Sequence, residues 1–153
     1  DLAKCFQVAL YYLNRRDRTQ KELTQKLSDR GFDQETTLKT IKKLKNLNFV
    51  DDERFARNFV RTSFGFKPKG RRRLKFELKR KGLDEELVEK VLQDEFISDE
   101  YSLIVEQAKK LVKKHFILQR EKNFQITLGA LLRRGFDYNP CKKAVLECLD
   151  EQN

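Results

Sequence analysis

The sequence is poor in the residues that build metal sites. It has a single histidine, His115, and three cysteines, Cys5, Cys141 and Cys148, whose spacing matches no zinc-binding motif. An odd number of cysteines without paired spacing is typical of a reducing compartment. No signal peptide is visible, and no apolar run approaches the ~20 residues needed to span a bilayer. We therefore expect a cytoplasmic protein without a metal site and without a membrane partner.

Residues that interrupt helices are also scarce. The 153 residues include two prolines and six glycines, whereas Lys, Glu, Leu, Arg and Gln, which favour helices, are abundant. No segment alternates between polar and apolar residues over the length of a strand, and no Asn-Gly or Asp-Gly pair indicates a hairpin. Because the chain begins at Asp1 and has no methionine, we expect it to be part of a longer chain. The composition predicts an all-α protein.

Catalytic motifs are missing as well. The segment Gly65–Gly70 is followed by two arginines, whereas a phosphate-binding loop requires Lys and then Ser or Thr. His115 follows two lysines, which is more typical of a surface position than of a general base. Cys141 and Cys148 lie seven residues apart on one predicted helix face, as core residues do. We therefore expect no enzymatic activity and no cofactor.

A short pattern occurs three times along the chain. It consists of a leucine, three mostly polar residues, a glycine and a bulky apolar residue, and its glycines are 51 and 53 residues apart. Three matched units of this length indicate a tandem array. The apolar position four residues before the leucine is Thr127 in the third copy. The three copies are Leu27–Phe32, Leu78–Leu83 and Leu131–Phe136.

The repeat predicts three units of three helices each. We place the units at residues 1–49, 50–97 and 98–153, joined without low-complexity linkers. Apolar residues recur at helical spacing in each predicted helix. The sequence thus predicts a tandem array of three three-helix bundles that forms an elongated, curved body. The predicted helices cover residues 2–15, 20–30, 34–47, 53–64, 71–81, 85–95, 99–116, 122–134 and 140–150.

Helix ends are marked by capping residues. Thr19 and Glu22 form the pattern of a capping box, and the glycine of each repeat suits the left-handed position after a helix. Pro140 suits the first position of the last helix. The other predicted N-caps are Asp33, Asp51 or Asp52, Asp84, Ser98 and Asn139.

Charge is distributed in blocks along the chain, whose net charge is +10. Residues 61–82 contain ten Lys or Arg and one Glu, or +9, whereas residues 83–102 contain eight acids and one Lys, or −7. A third block, residues 109–122, has six bases and one acid, or +5. A basic excess of this size favours binding to a polyanion or to an acidic protein surface.

The central residues resemble a known signature. Val50–Arg57, Lys69–Leu74, Glu77-Leu78 and Lys81–Leu83 are similar to the central signature of the RecX family. Thr19–Phe32 resembles the first repeat of the same family. The similarity extends over most of the chain, is strongest in its middle and is weakest in the third repeat. The resemblance implies a tandem array of three-helix units.

The resemblance also implies a partner and a role. Proteins of this family bind the RecA recombinase filament on DNA, lie in its helical groove and usually dampen its activity. We therefore expect a monomer that binds the RecA filament and contacts DNA, single-stranded or duplex, mainly through phosphates. Such a regulator acts by favouring one filament geometry and needs no cofactor of its own.

The basic middle of the chain is the candidate binding surface. On the helix predicted at 71–81, Leu74 and Leu78 define the inward face, so Arg72, Phe76 and Lys79 point largely away from it. An aromatic ring among cations can stack on a base while its neighbours contact phosphates. The candidate site residues are Arg57, Arg61, Lys69, Arg71, Arg72, Arg73, Lys75, Phe76, Lys79 and Arg80.

Other interpretations remain open. The cations can be a solvated face, Phe76 can pack against the next repeat, and the acids Asp51–Glu53 can serve the helix start alone. A different functional class is a direct nucleic-acid-binding module with no filament partner, and a third is a passive scaffold. Steep salt dependence on naked DNA indicates the direct module, whereas preference for recombinase-coated DNA indicates the filament regulator.

Overall fold

The computed structural model describes residues 1–96 and 99–152 and confirms the all-α repeat fold. Within these ranges the chain forms nine helices and no strand. Every predicted helix is present, and each end lies within two residues of its predicted position. The helices are α1 (Leu2–Arg15), α2 (Gln20–Asp29), α3 (Gln34–Asn46), α4 (Asp52–Thr62), α5 (Arg71–Arg80), α6 (Glu85–Glu95), α7 (Glu100–Lys114), α8 (Arg120–Arg133) and α9 (Tyr138–Glu151).

The contacts divide the chain into two compact units. Unit 1 comprises Asp1–Phe59 and Glu77–Val91, and unit 2 comprises Val60–Phe76 and Leu92–Asn153. In unit 1, α1, α2 and α3 pack around Cys5, Ala9, Leu23, Leu27, Ile41, Leu44 and Val50. In unit 2, α7, α8 and α9 pack around a larger apolar cluster that includes Phe136, Cys141 and Cys148. The predicted repeat boundaries at 49/50 and 97/98 stay predictions.

Most predicted N-caps are confirmed. Thr19 and Glu22 form the capping box, Asp33 accepts from the Thr36 amide at 2.7 Å, and Asp51 accepts from the Arg54 amide at 3.0 Å. Asp84 accepts from the Glu86 amide at 3.4 Å. Ser98 and the predicted break at 97–98 lie outside the described residues.

One cap was predicted wrongly. Asn139 and Pro140 were expected to start the last helix, but α9 begins at Tyr138 after the N-cap residue Asp137. Pro140 is therefore the third helical residue. A proline is tolerated there because the first-turn amides of a helix have no partner within the helix.

The glycine of each repeat ends a helix in the predicted left-handed conformation. The φ angles of Gly31, Gly82 and Gly135 are 92°, 89° and 92°. The apolar residue after each glycine donates its amide to the carbonyl of the repeat leucine, at 3.2 to 3.3 Å. Asn48, with φ of 63°, ends α3 in the same way, and the amide of Phe49 donates to the Leu44 carbonyl at 2.9 Å.

In unit 1, the N-terminal end of α2 lies on the C-terminal loop of α5. The buried Thr19 hydroxyl donates to the Lys81 carbonyl oxygen at 2.7 Å. A Cβ atom on Gly82 would collide with the side-chain stem of Lys21. Asp52 does not cap its own helix but accepts from the Gln20 amide at 2.9 Å, at the start of α2. The contact needs glycine at position 82 for space as well as for φ.

In unit 2, the N-terminal end of α5 lies on the C-terminal loop of α8 in the same manner. The Gly70 amide donates to the Arg134 carbonyl oxygen at 2.7 Å. A Cβ atom on Gly135 would lie 2.6 Å from the backbone nitrogen of Arg73, and a Cβ on Gly70 would lie 2.7 Å from the amide nitrogen of Phe136. Two backbones thus approach each other closely where both helices meet.

The third repeat departs from this pattern at Thr127. Its buried hydroxyl donates to the side-chain oxygen Oδ1 of Asn123 at 3.0 Å. The Asn123 side-chain amide donates to the backbone carbonyls of Val112 and His115, at 3.0 and 3.1 Å. Asn123 therefore satisfies carbonyl groups at the end of α7, and Thr127 holds the Asn123 side chain by its hydrogen bond, which explains a polar residue in an apolar repeat position.

No helix in the described ranges is long and apolar enough to cross a membrane.

We predict that Gly135→Ala destabilises the protein more than Gly31→Ala does. Both changes force alanine into the left-handed region, which costs about 1–2 kcal/mol. A Cβ at Gly31 meets nothing within 4 Å, whereas one at Gly135 meets the backbone of Arg73. Urea unfolding measures the two free energies. Equal losses in both variants would contradict the close packing at Gly135.

We predict opposite effects for two threonine-to-valine changes. Thr40→Val removes a buried hydroxyl that has no hydrogen-bond partner among the described residues, so it is neutral or stabilising. Thr127→Val removes the donor to Asn123 in a buried site and costs about 1–3 kcal/mol. Thermal unfolding of the two variants provides the comparison, and a loss of stability in Thr40→Val would refute it.

Candidate functional site

The predicted site residues are divided between the two units. Unit 1 contains Arg57, Lys79 and Arg80. Unit 2 contains Arg61, Lys69, Arg71, Arg72, Arg73, Lys75 and Phe76. The residues do not share one role, because several of the arginines are used to hold the fold.

Arg72 and Arg73 bind the C-terminal end of α8. Arg72 Nη2 donates to the carbonyl oxygens of Leu132 and Phe136, both at 3.2 Å, and Arg73 Nη1 donates to the Arg133 carbonyl at 3.3 Å. The last carbonyls of a helix lack partners within the helix and carry a partial negative charge. These two guanidinium groups therefore act as helix caps for α8.

Arg71 and Arg61 contact acids and an aromatic ring of unit 2. Arg71 Nε lies 3.1 Å from Glu100 Oε2, and the Arg71 guanidinium lies 4.7 Å from the centroid of Phe96. Burial raises the pKa of Glu100, and Arg71 opposes that shift. Arg61 makes two hydrogen bonds to Glu95, at 2.9 and 3.0 Å. The acidic block predicted from sequence thus neutralises part of the basic block.

The acids at the start of α4 contact residues of unit 1. Glu53 lies 3.7 Å from Arg57 and 3.1 Å from Lys90. Asp51 caps α4, and Asp52 accepts from Gln20. Burial raises the pKa of Asp52, while the Gln20 amide opposes the shift. The three acids and Arg57 thus all contact residues of unit 1, and the roles predicted for them in partner binding stay predictions.

The other candidate residues on α5 and before it differ in exposure. Phe76 is 60% exposed, and Lys79 and Arg80 are exposed at the end of α5, where Lys79 lies 3.8 Å from Glu85. Lys69 and Lys75 are half-buried. Whether these residues form a binding surface stays a prediction.

Sequence reasoning missed two exposed features. Phe66, in the loop between α4 and α5, is 86% exposed and lies next to Lys67 in sequence. The search for outward-facing aromatics followed helix periodicity, which does not apply to a loop. The second feature is a groove in unit 1, where cations of α2 meet the end of α5. Its residues are far apart in sequence, so no charge block revealed it.

The chemistry of the cysteines supports a core role. Cys141 and Cys148 are buried, and burial raises the pKa of Cys141 to about 11 and raises the pKa of Cys148. Both thiols are therefore protonated and poorly nucleophilic at neutral pH. No group of three or more metal-binding side chains occurs within residues 1–96 and 99–152.

The fold and its repeated helix-end contacts define a class of all-α proteins built from tandem three-helix domains. Family comparison agrees with this class. Residues 5–44 match the model described as "RecX, first three-helix domain", and residues 51–92 match "RecX, second three-helix domain". The chain belongs to the RecX family, whose members are named regulatory proteins.

Curated relatives match the chain over nearly its whole length. The "Regulatory protein RecX" of Prosthecochloris aestuarii is 32% identical, with 97% of this chain and 96% of that protein covered. The relative from Bacillus licheniformis is 33% identical, and the match covers 96% of this chain but 56% of that protein. Some members of the family are therefore much longer than the region matched here.

Solved structures have the same fold. The crystal structure of RecX from Lactobacillus salivarius aligns with a TM-score of 0.81 at 28% identity and covers 98% of this chain and 97% of that one. A second crystal structure of a regulatory protein RecX aligns with a TM-score of 0.79 at 23% identity, which supports the fold alone.

We predict that Arg72→Ala lowers stability, although Arg72 is an exposed cation. The change leaves the Leu132 and Phe136 carbonyls without this donor, which costs about 1 kcal/mol after solvent screening. Lys79→Ala is the matched control and costs less than about 0.5 kcal/mol. Urea unfolding distinguishes them. If the two variants unfold alike, Arg72 is not a cap.

Proposed function

We propose that this protein binds the RecA recombinase filament on DNA and lowers its ATP turnover and strand exchange, and so regulates DNA repair and recombination. The observation that carries the proposal is membership of a family of regulatory proteins. In this proposal the protein is a cytoplasmic monomer that uses no cofactor, and its three repeats are residues 1–49, 50–97 and 98–153.

The repeated architecture supports a filament as the partner. A filament presents the same surface at regular intervals, and this chain repeats one short pattern three times along its sequence, at Leu27–Phe32, Leu78–Leu83 and Leu131–Phe136. Several weak contacts made together give high avidity without a deep pocket. The bound protein then shifts filament activity because it binds one filament geometry more tightly than another.

The solvent-facing cations are the best candidates for the contact. Arg71, Arg72 and Arg73 are engaged within unit 2, so reversing their charge would damage the fold as well as any interface. Lys79, Arg80 and the ring of Phe76 are exposed on α5. DNA contact in this proposal is made mainly through phosphates, on single-stranded or duplex DNA.

The alternative is a direct DNA-binding module that needs no filament. The observation that favours it is the net charge of +9 over residues 61–82. The two functions differ in their preferred target. Binding to recombinase-coated DNA that is no tighter than binding to naked DNA would favour the alternative.

We predict that Lys79→Glu/Arg80→Glu relieves inhibition of RecA-catalysed, DNA-dependent ATP hydrolysis. Reversing two cations at the contact replaces attraction by repulsion and raises the concentration needed for half inhibition by roughly tenfold. The control Lys42→Glu/Lys142→Glu changes net charge equally at exposed positions of α3 and α9. It leaves inhibition unchanged.

The same assay tests the proposal itself. Unchanged ATP turnover in the presence of wild-type protein, under conditions where sedimentation shows it bound to the filament, would contradict a regulatory role. Equal loss of inhibition in the pair at Lys42 and Lys142 would show that net charge, and not a defined surface, is responsible.

A further inference from the structure

A groove in unit 1 brings together cations from three separate segments. It has a volume of about 310 Å³ and lies along α2, beside the end of α5. We call it the α2–α5 groove. The cations that line it are Arg16, Arg18, Lys21, Lys26, Arg80 and Lys81.

Two acids neutralise only part of this charge. Glu22 lies 3.2 Å from Arg16 and 3.6 Å from Lys81. Burial acts to raise the pKa of Glu22, but the Thr19 amide, Arg16 and Lys81 outweigh it and the pKa is lowered, so Glu22 is anionic at neutral pH. The other acid, Asp29, accepts from the Gln25 side chain at 2.9 Å. Six cations and two acids leave the groove at 6 − 2 = +4.

Three of the cations make no ion pair with the described part of the chain: Arg18, Lys21 and Lys26. Arg18 Nε donates to the Tyr12 carbonyl oxygen at 3.4 Å, and its guanidinium lies 5.4 Å from the centroid of the Tyr12 ring. The Lys26 ammonium lies 5.9 Å from the same centroid. Tyr12 therefore positions two cations on one side of the groove without neutralising them.

The third cation, Lys21, is positioned by the contact between α2 and α5. Its stem packs where Gly82 lacks a side chain, and both Lys21 and Lys81 line the groove. The hydrogen bond from the Thr19 hydroxyl to the Lys81 carbonyl oxygen, 2.7 Å long, holds the start of α2 against the end of α5. The fold thus assembles like charges at close quarters, and their repulsion is relieved when an anion binds.

We propose that the α2–α5 groove binds successive backbone phosphates of a single-stranded nucleic acid. This rests on the DNA contact of the proposed function and deepens it by naming the site and the form of nucleic acid that binds there. Arg and Lys donors on both walls suit phosphate oxygens, which accept several hydrogen bonds. Six of the nine lining side chains are cationic, so the groove offers no apolar anchor for a peptide.

The length of the groove suits a flexible strand. Lys21 and Lys26 are five residues apart on α2, or about 7.5 Å at a rise of about 1.5 Å per residue. A nucleic-acid strand carries one charge per roughly 3.4 Å of rise, so this distance corresponds to about two phosphate spacings. Duplex DNA is stiff, with a persistence length of about 50 nm, and does not bend into a concave groove of this size.

The test is salt-dependent binding of a fluorescein-labelled oligothymidylate to the wild-type protein and to Lys21→Gln/Lys26→Gln, followed by anisotropy. Removing two phosphate contacts reduces the slope of log K against log salt by about 1.4 and weakens binding roughly tenfold at low salt. Lys42→Gln/Lys142→Gln loses the same charge at exposed positions of α3 and α9 and retains the wild-type slope.

Two results would overturn the proposal. One is a wild-type slope in Lys21→Gln/Lys26→Gln, with circular dichroism showing that the variant is folded. The other is binding of poly-glutamate as tight as that of oligothymidylate and equally weakened by the substitutions, because the groove would then be a site for acidic peptides. RecA is absent from this assay, so neither result bears on filament regulation.

Discussion

The structure depends on one contact, in which the N-terminal end of a helix lies on the left-handed glycine loop that ends another. It joins α2 to the end of α5 in unit 1 and α5 to the end of α8 in unit 2. A helix end exposes unpaired carbonyls with partial negative charge, and a helix start exposes unpaired amides with partial positive charge. Each contact supplies a donor to a carbonyl at a helix end, from the Thr19 hydroxyl in unit 1 and the Gly70 amide in unit 2, and glycine at positions 82 and 135 allows the required approach.

The same contact explains how the third repeat differs from the first two. Thr19 stands 12 residues before Gly31, and Gly70 stands 12 residues before Gly82. The equivalent residue in the third repeat, 12 residues before Gly135, is Asn123. Asn123 is buried and binds the end of α7, so it is not available to a further helix end. Gly31, by contrast, has an open loop, since a Cβ there meets nothing within 4 Å. The first repeat therefore contributes only a helix start to this contact, at Thr19, and the third repeat contributes only a glycine loop, at Gly135.

Local features of the fold were predictable from sequence because they depend on nearby residues. Helix spacing, the Thr19 capping box and the glycine C-caps all act within about six residues and were predicted correctly. The roles of Arg72 and Arg73 were not, because their acceptors lie about 60 residues away in sequence. The α2–α5 groove was missed for the same reason, since Lys81 reaches Glu22 only in the folded chain. Residue preference alone did not predict the left-handed conformation of Asn48 at the end of α3. It also placed the start of α9 at Asn139 and Pro140, whereas the helix begins at Tyr138.

The distribution of charge has a further consequence for function. Of the ten cations in residues 61–82, Arg61 and Arg71 bind acids, and Arg72 and Arg73 bind helix carbonyls. A run of like charge in sequence is therefore not equivalent to a binding surface, because some of its cations bind carbonyl groups at helix ends. The cations that remain for a partner are those that have no acid near them in the folded chain. In unit 1, Arg18, Lys21 and Lys26 line the α2–α5 groove without an ion pair to a carboxylate of the described residues, although they lie outside the most basic segment. Charge left unpaired by folding, and not charge density along the chain, is the better guide to where a polyanion binds.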